Sequence, residues 1–395
     1  MVSYEKSLEI LSSHLQAYEK IEKIAITQCL DRILAQNIYA PRNCPEFETA
    51  AMDGYAIKFE DQNQTLKILG SVEAGALPFC TVQNGQCVKT FTGSLMSEGT
   101  DTLIPLENVE IQDGTILIKE IVKKGFAVRK IAESYSKGEL LLTQGTKLGY
   151  SELALLAELG FFHISVFIKP IIGILSSGNE IKDLGENLEH PAQIRSCNHI
   201  ALSNLAQKFG CETRIFPFIH DDVNLAKNAL KNALSCCDIL VTTGGVSVGD
   251  FDCIKMALKE YKLLIDKVDI KPGKHIKIAQ VSQKFLVALP GFPYSAIVTF
   301  CLYVKEIVSF WLLQKKESLC RAFLEQTYKK KSPHFEFVAC NVNFKDGKIV
   351  ANLEGKKQGS SAIITNLNNK AALMLVPKDS KEVQKGSLVE VFFLP

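Results

Sequence analysis

The stretch TTGGVSVGDFD, residues 242–252, joins two chemistries that oppose each other. Gly244, Gly245 and Gly249 free the backbone to turn several amides toward one anion. Asp250 and Asp252 then place negative charge at the same point, and Glu180, Asp221 and Asp222 follow other strand-like runs of the same region. A phosphate among so many acids would be repelled unless a divalent cation lay between them. Mg²⁺ is typically held by one or two carboxylates plus substrate phosphate. The pattern therefore reads as amides for an anion and aspartates for the metal that neutralises it. Lys271-Pro272-Gly273-Lys274 adds a turn that can aim two ammonium groups one way, and an oxyanion is their natural partner. Gly244 to Gly249 has the spacing of a P-loop, but Asp250 stands where that loop needs lysine, and GGVSVG does not fit GxGxxG. No Ser-His-Asp or Cys-His arrangement suggests a covalent route.

These residues need a frame that brings them to one rim. Strand-like runs at 171–175, 214–219, 238–242 and 285–289 alternate with helical patterns at 198–209, 223–234 and 294–313. That rhythm predicts a mostly parallel sheet with crossover helices, whose ligands sit beyond the carboxyl ends of the strands. The segments 176–180, 220–222, 242–252 and 290–293 are the loops that would line that rim. Asp222 directly precedes a helix and reads as its N-cap, which leaves Asp221 for the cleft. Residues 3–15 read as an amphipathic helix with Tyr4, Leu8, Leu11 and Leu15 on one face, and 149–162 as a helix with a glycine stop. Residues 46–131 carry short β runs with turns at Asn84-Gly85 and Asp113-Gly114, a small all-β insertion. Residues 331–395 return to β runs and suggest a small barrel or sandwich.

Composition narrows the partners. With 45 basic and 43 acidic residues in 395, the chain has no electrostatic footprint for nucleic acid. Its apolar stretches at 153–175 and 294–313 are interrupted by charged residues, so no membrane span is expected. The N-terminus lacks the apolar core of a signal peptide. Twelve scattered cysteines without a CxxC pair read as reduced thiols in a cytoplasmic protein.

TGGVSVGDFD followed by IKPGK and LPGFP resembles the molybdopterin molybdenumtransferase family, to which the gephyrin E domain belongs. Thr49-Ala50-Ala51-Met52-Asp53-Gly54-Tyr55-Ala56 and Phe91-Thr92-Gly93 resemble that family's signatures in its inserted domain. The resemblance implies insertion of molybdenum from molybdate into adenylylated molybdopterin, with release of AMP and a need for Mg²⁺. It implies an elongated homodimer with a cleft shared between subunits, and a molybdopterin adenylyltransferase as pathway partner. The implied catalytic residues are Asp53, Thr92, Glu180, Asp221, Asp252, Lys271 and Lys274, with Glu180, Asp221 and Asp252 as metal ligands. Gly244, Gly245, Ser247, Gly249, Asp250, Pro290, Gly291 and Pro293 would shape the pterin pocket. The fold class implied is multi-domain α/β and β. A three-layer α/β molybdopterin-binding domain spans 170–318, an inserted β-rich domain 46–131, a helical linker and dimerisation region 1–45 with 132–169, and a C-terminal barrel 319–395. Three positions depart from the family pattern: Ser134 replaces an acid, Phe292 an asparagine and His275 a proline. Two other readings share these motifs, the adenylyl transfer step itself and a partner-binding scaffold of the gephyrin type.

Overall fold

The computed structural model describes residues 1–246, 252–314 and 319–395. They form two compact units, one of Met1–Ala35, Gln144–Leu153 and Phe162–Pro395, the other of Gln36–Thr143 and Ala154–Phe161. Helix α1 (Tyr4–Ser12) is capped by Ser3, whose hydroxyl accepts from Lys6 N at 3.2 Å. It is shorter than its periodicity suggests, yet Leu8, Leu11 and Leu15 all pack on the main core.

The smaller unit is built on six strands: β1 (Gly54–Ile57), β2 (Leu66–Val72), β3 (Gln86–Thr90), β4 (Thr102–Pro105), β5 (Val109–Gln112) and β6 (Thr115–Ile118). Their order is β4-β1-β3-β2-β6-β5, antiparallel except for β2 with β3. Asp113 and Gly114 both have positive φ and close the β5–β6 hairpin, as the Asp-Gly signal requires. Tyr55, Ile57, Leu66, Ile104 and Ile116 fill its core. Gly54 is obligatory there, because a Cβ would run into the carbonyl of Ile104 on β4. Helix α2 (Tyr150–Glu158) is followed by Gly160 at φ +84°, the expected stop.

The α/β layer contains β7 (Ile171–Ser176), α3 (Asn198–Lys208), β8 (Glu212–Ile215), α4 (Val223–Ser235), β9 (Ile239–Thr243), α5 (Cys253–Ala257), β10 (Leu263–Ile265), β11 (Lys277–Val281), β12 (Lys284–Leu289), α6 (Pro293–Thr299) and α7 (Lys305–Trp311). The sheet order is β8-β7-β9-β12-β11-β10. The first four strands are parallel, whereas β11 and β10 add antiparallel pairings. Ile172, Ile174, Ile239, Val241, Phe285 and Val287 pack with α3, α6 and α7 on one face. Leu175, Leu240, Leu286 and Ala288 pack with α4 and α5 on the other. Burial on both faces explains why these strands read as unbroken apolar runs. The run 214–219 is only partly strand: β8 ends at Ile215, and Ile219 returns to bridge Ser177. The long apolar helix is interrupted too. A π-helical turn at Phe300–Val304 joins α6 to α7, and the Thr299 hydroxyl bonds back to Ser295 O at 2.7 Å. Its apolar character serves the core, where Val298, Phe300, Tyr303, Val304 and Ile307 are buried.

Strands β13 (Cys320–Leu324), β14 (Phe335–Lys345), β15 (Lys348–Asn352), β16 (Ala372–Val376) and β17 (Leu388–Phe393) form a closed five-stranded barrel, ordered β14-β15-β13-β17-β16 with β16 returning to β14. The dipeptide Ile270–Lys271 joins β14 in parallel, Ile270 opposite Phe335 and Lys271 opposite Glu336.

Candidate active site

The parallel strands converge on a cavity of about 660 Å³ beyond their carboxyl ends. Its floor depends on glycine. Gly244 (φ +87°) sits where a Cβ would collide with the carbonyl of Ser177, and Gly291 lies beside Gly244 at ordinary van der Waals distance. Ser177 N donates to Thr243 O at 3.0 Å, locking the ends of β7 and β9. Gly244, Gly245, Pro290, Gly291 and Pro293 all line the cavity, and Phe292, 59% exposed, forms part of its wall. Ser247, Gly249 and Asp250 lie outside the described residues.

The acids divide into different tasks. Asp222 caps α4, its Oδ1 accepting from the N–H groups of Asn224 and Leu225, both at 2.8 Å. Asp221 is held by a reciprocal pair: its Oδ2 accepts from Asn179 N at 3.3 Å, and its own N–H donates to Asn179 Oδ1 at 3.1 Å. The Cys253 thiol donates to Asp221 Oδ1 at 3.6 Å. Burial, then the Asp221 carboxylate, push that thiol up to about 11, so it stays a donor. Asp252 carries a buried Oδ2 with no hydrogen-bond partner among the described residues. Glu180 lines the cavity, with its carboxylate folded over Gly178. Glu180, Asp221 and Asp252 are not gathered into one metal cluster: among the described residues no three His, Cys, Asp or Glu side chains are placed to hold an ion by themselves. The chemistry still suits Mg²⁺ held by fewer protein ligands and substrate phosphate, since an orphaned carboxylate oxygen calls for a cation or a donor.

The lysine turn forms the facing wall. Lys271 and Lys274 both line the cavity. Lys271 Nζ lies 3.3 Å from Glu336 Oε1, and the other oxygen of that buried carboxylate accepts from the Tyr328 hydroxyl at 2.7 Å. Lys274 has no ion-pair partner among the described residues. Gly273 (φ +101°) wedges the turn onto α6, where a Cβ would strike Thr299 Cγ2. His275 also lines the cavity, its imidazole held below its usual range by burial and then by Lys267, Lys274 and Lys277, against the pull of Asp252.

In the smaller unit, Asp53 and Thr92 meet directly. Asp53 Oδ1 accepts from Thr92 N at 2.8 Å and from Thr92 Oγ1 at 2.9 Å, and these bonds hold its carboxyl below the ordinary range. Ser134 accepts from Arg129 Nη2 at 3.3 Å, and the neighbouring Glu133 carboxylate pairs with the Nε of that arginine at 3.1 Å. An acid therefore remains one residue before the position where Ser134 replaces one.

Sequence reasoning passed over Asn179, Asn198, Cys253 and Glu336. Asn179 and Cys253 adjoin residues it did single out. Glu336 stands inside an otherwise ordinary strand pattern, FEFVA, and carries no local signal.

Comparison with known proteins identifies the family. Residues 2–160 match the family model described as the MoeA N-terminal region (domains I and II), and 173–309 match the probable molybdopterin binding domain. A molybdopterin molybdenumtransferase of Bacillus subtilis is 30% identical over 396 residues, covering 96% of this chain and 91% of the relative. One of Haemophilus influenzae is 32% identical over 344 residues, covering 86% and 82%. The crystal structure of the molybdopterin biosynthesis MoeA protein from Pyrococcus horikoshii superposes with a TM-score of 0.85 at 27% identity, covering 100% of both chains. Fold, motifs and whole-length relatives agree, and the chain belongs to the molybdopterin molybdenumtransferase family.

Proposed function

We propose that this chain transfers molybdenum from molybdate to the dithiolene of adenylylated molybdopterin and releases AMP. The observation that carries this reading is the pairing, in one cavity, of a glycine floor and the Glu180 carboxylate with the two lysines of the KPGK turn; Asp221 and Asp252 are not among the residues that line it. The floor suits the substrate's phosphates and the lysines suit the tetrahedral oxyanion. Glu336 orients Lys271 through their ion pair, while Lys274 is left to the anion. Asp252, assisted by Asp221, would hold Mg²⁺ beside the phosphoanhydride. That ion, when bound, supplies charge neutralisation and polarises the bond that breaks. No protein nucleophile is needed: an oxygen of water or of the molybdate substrate forms the new bond to phosphorus as the anhydride bond breaks, and charge stabilisation on the departing phosphate lowers the barrier.

The finer reading extends to assembly. A homodimer in which Asp53 and Thr92 of one subunit complete the partner's cleft accounts for a carboxylate held charged at an exposed position. A molybdopterin adenylyltransferase would supply the substrate. Twelve free thiols suit a reducing, cytoplasmic setting. The test is release of AMP from adenylylated molybdopterin by the purified protein, with and without molybdate. Molybdate-dependent release supports the assignment. Turnover of ATP with metal-free molybdopterin would instead identify the adenylyl transfer step.

A further inference from the structure

Asn198 opens α3 at the edge of the cavity and is 8% exposed. Its Nδ2 donates to the carbonyl of Gly291 at 2.8 Å. That bond fixes which end of the amide is which, since only the NH₂ group can face a carbonyl oxygen. The Oδ1 atom is thereby left as a buried acceptor, and it has no partner among the described residues. An acceptor left without a donor in a buried place is costly, of order 1–3 kcal/mol. Asn198 lines the cavity, and a ligand there that brought an N–H or O–H to Oδ1 would relieve that cost. A phosphate or molybdate oxyanion cannot do so and would be repelled. The Gly291 carbonyl beside it is a second acceptor, which disfavours a ring carbonyl and favours an amino group with two hydrogens. Ile181, Ile194, Ile270 and Phe292 line the same cavity and supply apolar surface for a flat ring.

We infer that Asn198 is a specificity residue that reads the exocyclic amino group of a heterocycle bound in this cavity. The inference rests on the reading that the cavity takes adenylylated molybdopterin. That substrate carries two such groups, one on the pterin and one on the adenine. Either ring satisfies the chemistry, and the assay separates them.

Wild-type protein and Asn198→Ala are titrated with two probe pairs. One pair is 6-hydroxymethylpterin and 6-hydroxymethyllumazine, in which a carbonyl replaces the 2-amino group. The other is AMP and IMP, in which a carbonyl replaces the 6-amino group. Wild-type protein is expected to prefer the amino member of one pair by roughly 3–10-fold, the range of a single neutral hydrogen bond. Asn198→Ala is expected to bring that ratio to about one. The pair that responds identifies the ring. Absence of preference in both pairs, or a preference that survives in Asn198→Ala, overturns the inference. Asn198 also tethers Gly291, so thermal unfolding is followed in parallel, and Asn198→Ser serves as a second variant. Should neither variant fold, the wild-type ratios alone decide. Failure of the transferase reading registers separately, as absent AMP release by the wild-type protein. Failure of this inference leaves that release intact.

Discussion

Lys271 Nζ sits 3.3 Å from Oε1 of Glu336, a carboxylate only 2% exposed. The lysine is itself 38% exposed, so one end of the pair is wet and the other is dry. A surface lysine would swing freely. This one is held at the cavity by a partner that cannot leave, because Tyr328 and the barrel enclose it.

The pair gives a prediction with two separable readouts. Lys271→Ala removes the proposed molybdate contact and also leaves Glu336 without its cation. We expect the molybdate concentration for half-maximal AMP release to rise at least tenfold, from loss of a charge-assisted bond worth about 1.5–3 kcal/mol. Stability should fall by about 1–3 kcal/mol, less than for a fully buried pair because of the lysine's exposure. Adding Glu336→Gln should restore the stability lost to the unpaired carboxylate and leave the molybdate dependence impaired. Denaturant melts and molybdate titrations of the single and double variants check both. Recovery of the molybdate dependence in the double variant would count against an anion-binding Lys271.

Asp252 offers a buried oxygen with no described partner. Asp252→Asn preserves shape and removes charge. AMP release should drop by roughly a hundredfold or more, the scale of losing one preorganised electrostatic group. Binding of adenylylated molybdopterin should persist. Full turnover of wild-type protein in excess chelator would contradict the metal reading behind this expectation.

Gly273 has no space for a methyl group and has a backbone conformation that L-residues avoid. Gly273→Ala should destabilise the protein by about 2–4 kcal/mol, combining overpacking with backbone strain. Thr299→Ser removes the struck methyl and keeps the hydroxyl that bonds Ser295 O. In the Gly273→Ala background it should return the steric part alone. Thermal melts of the two singles and the double variant measure the split.

Asp53 in the smaller unit is depressed by its bonds from Thr92. A carboxyl with a lowered folded-state pKa contributes stability above its unfolded value and loses it as pH falls through the folded value. Thr92→Ala removes the hydroxyl bond and keeps the backbone one. Carboxyl-detected NMR titration should then find Asp53 closer to the ordinary carboxylate range and still below it. An unmoved titration would show that the hydroxyl contact is not formed.

Part of this is legible in the sequence. The strands β7, β9 and β12 announced themselves because both of their faces are buried, and Asp222 marked a helix start by position alone. The glycine floor and the lysine turn were visible because each demands unusual residues in series. What escaped was set by distant partners. Strand β11 is a hairpin return with little pattern of its own. The π-helical turn at Phe300–Val304 leaves no mark in an apolar run. Asn198 and Glu336 acquire meaning only from Gly291 and Lys271, which stand 93 and 65 residues away in the chain.

The two-residue strand Ile270–Lys271 hydrogen-bonds with β14 of the barrel and not with the α/β sheet. The glycine lip of the cavity is thus anchored to the parallel strands alone, whereas the lysine lip is tied at Ile270–Lys271 to the barrel and at Gly273 to α6. Any rocking of the barrel against the sheet would change the gap between them as a hinge changes the bite of pliers. In that sense the C-terminal barrel is one jaw of the site, and a chain ending before residue 319 would keep the KPGK sequence while losing the strand that aims it.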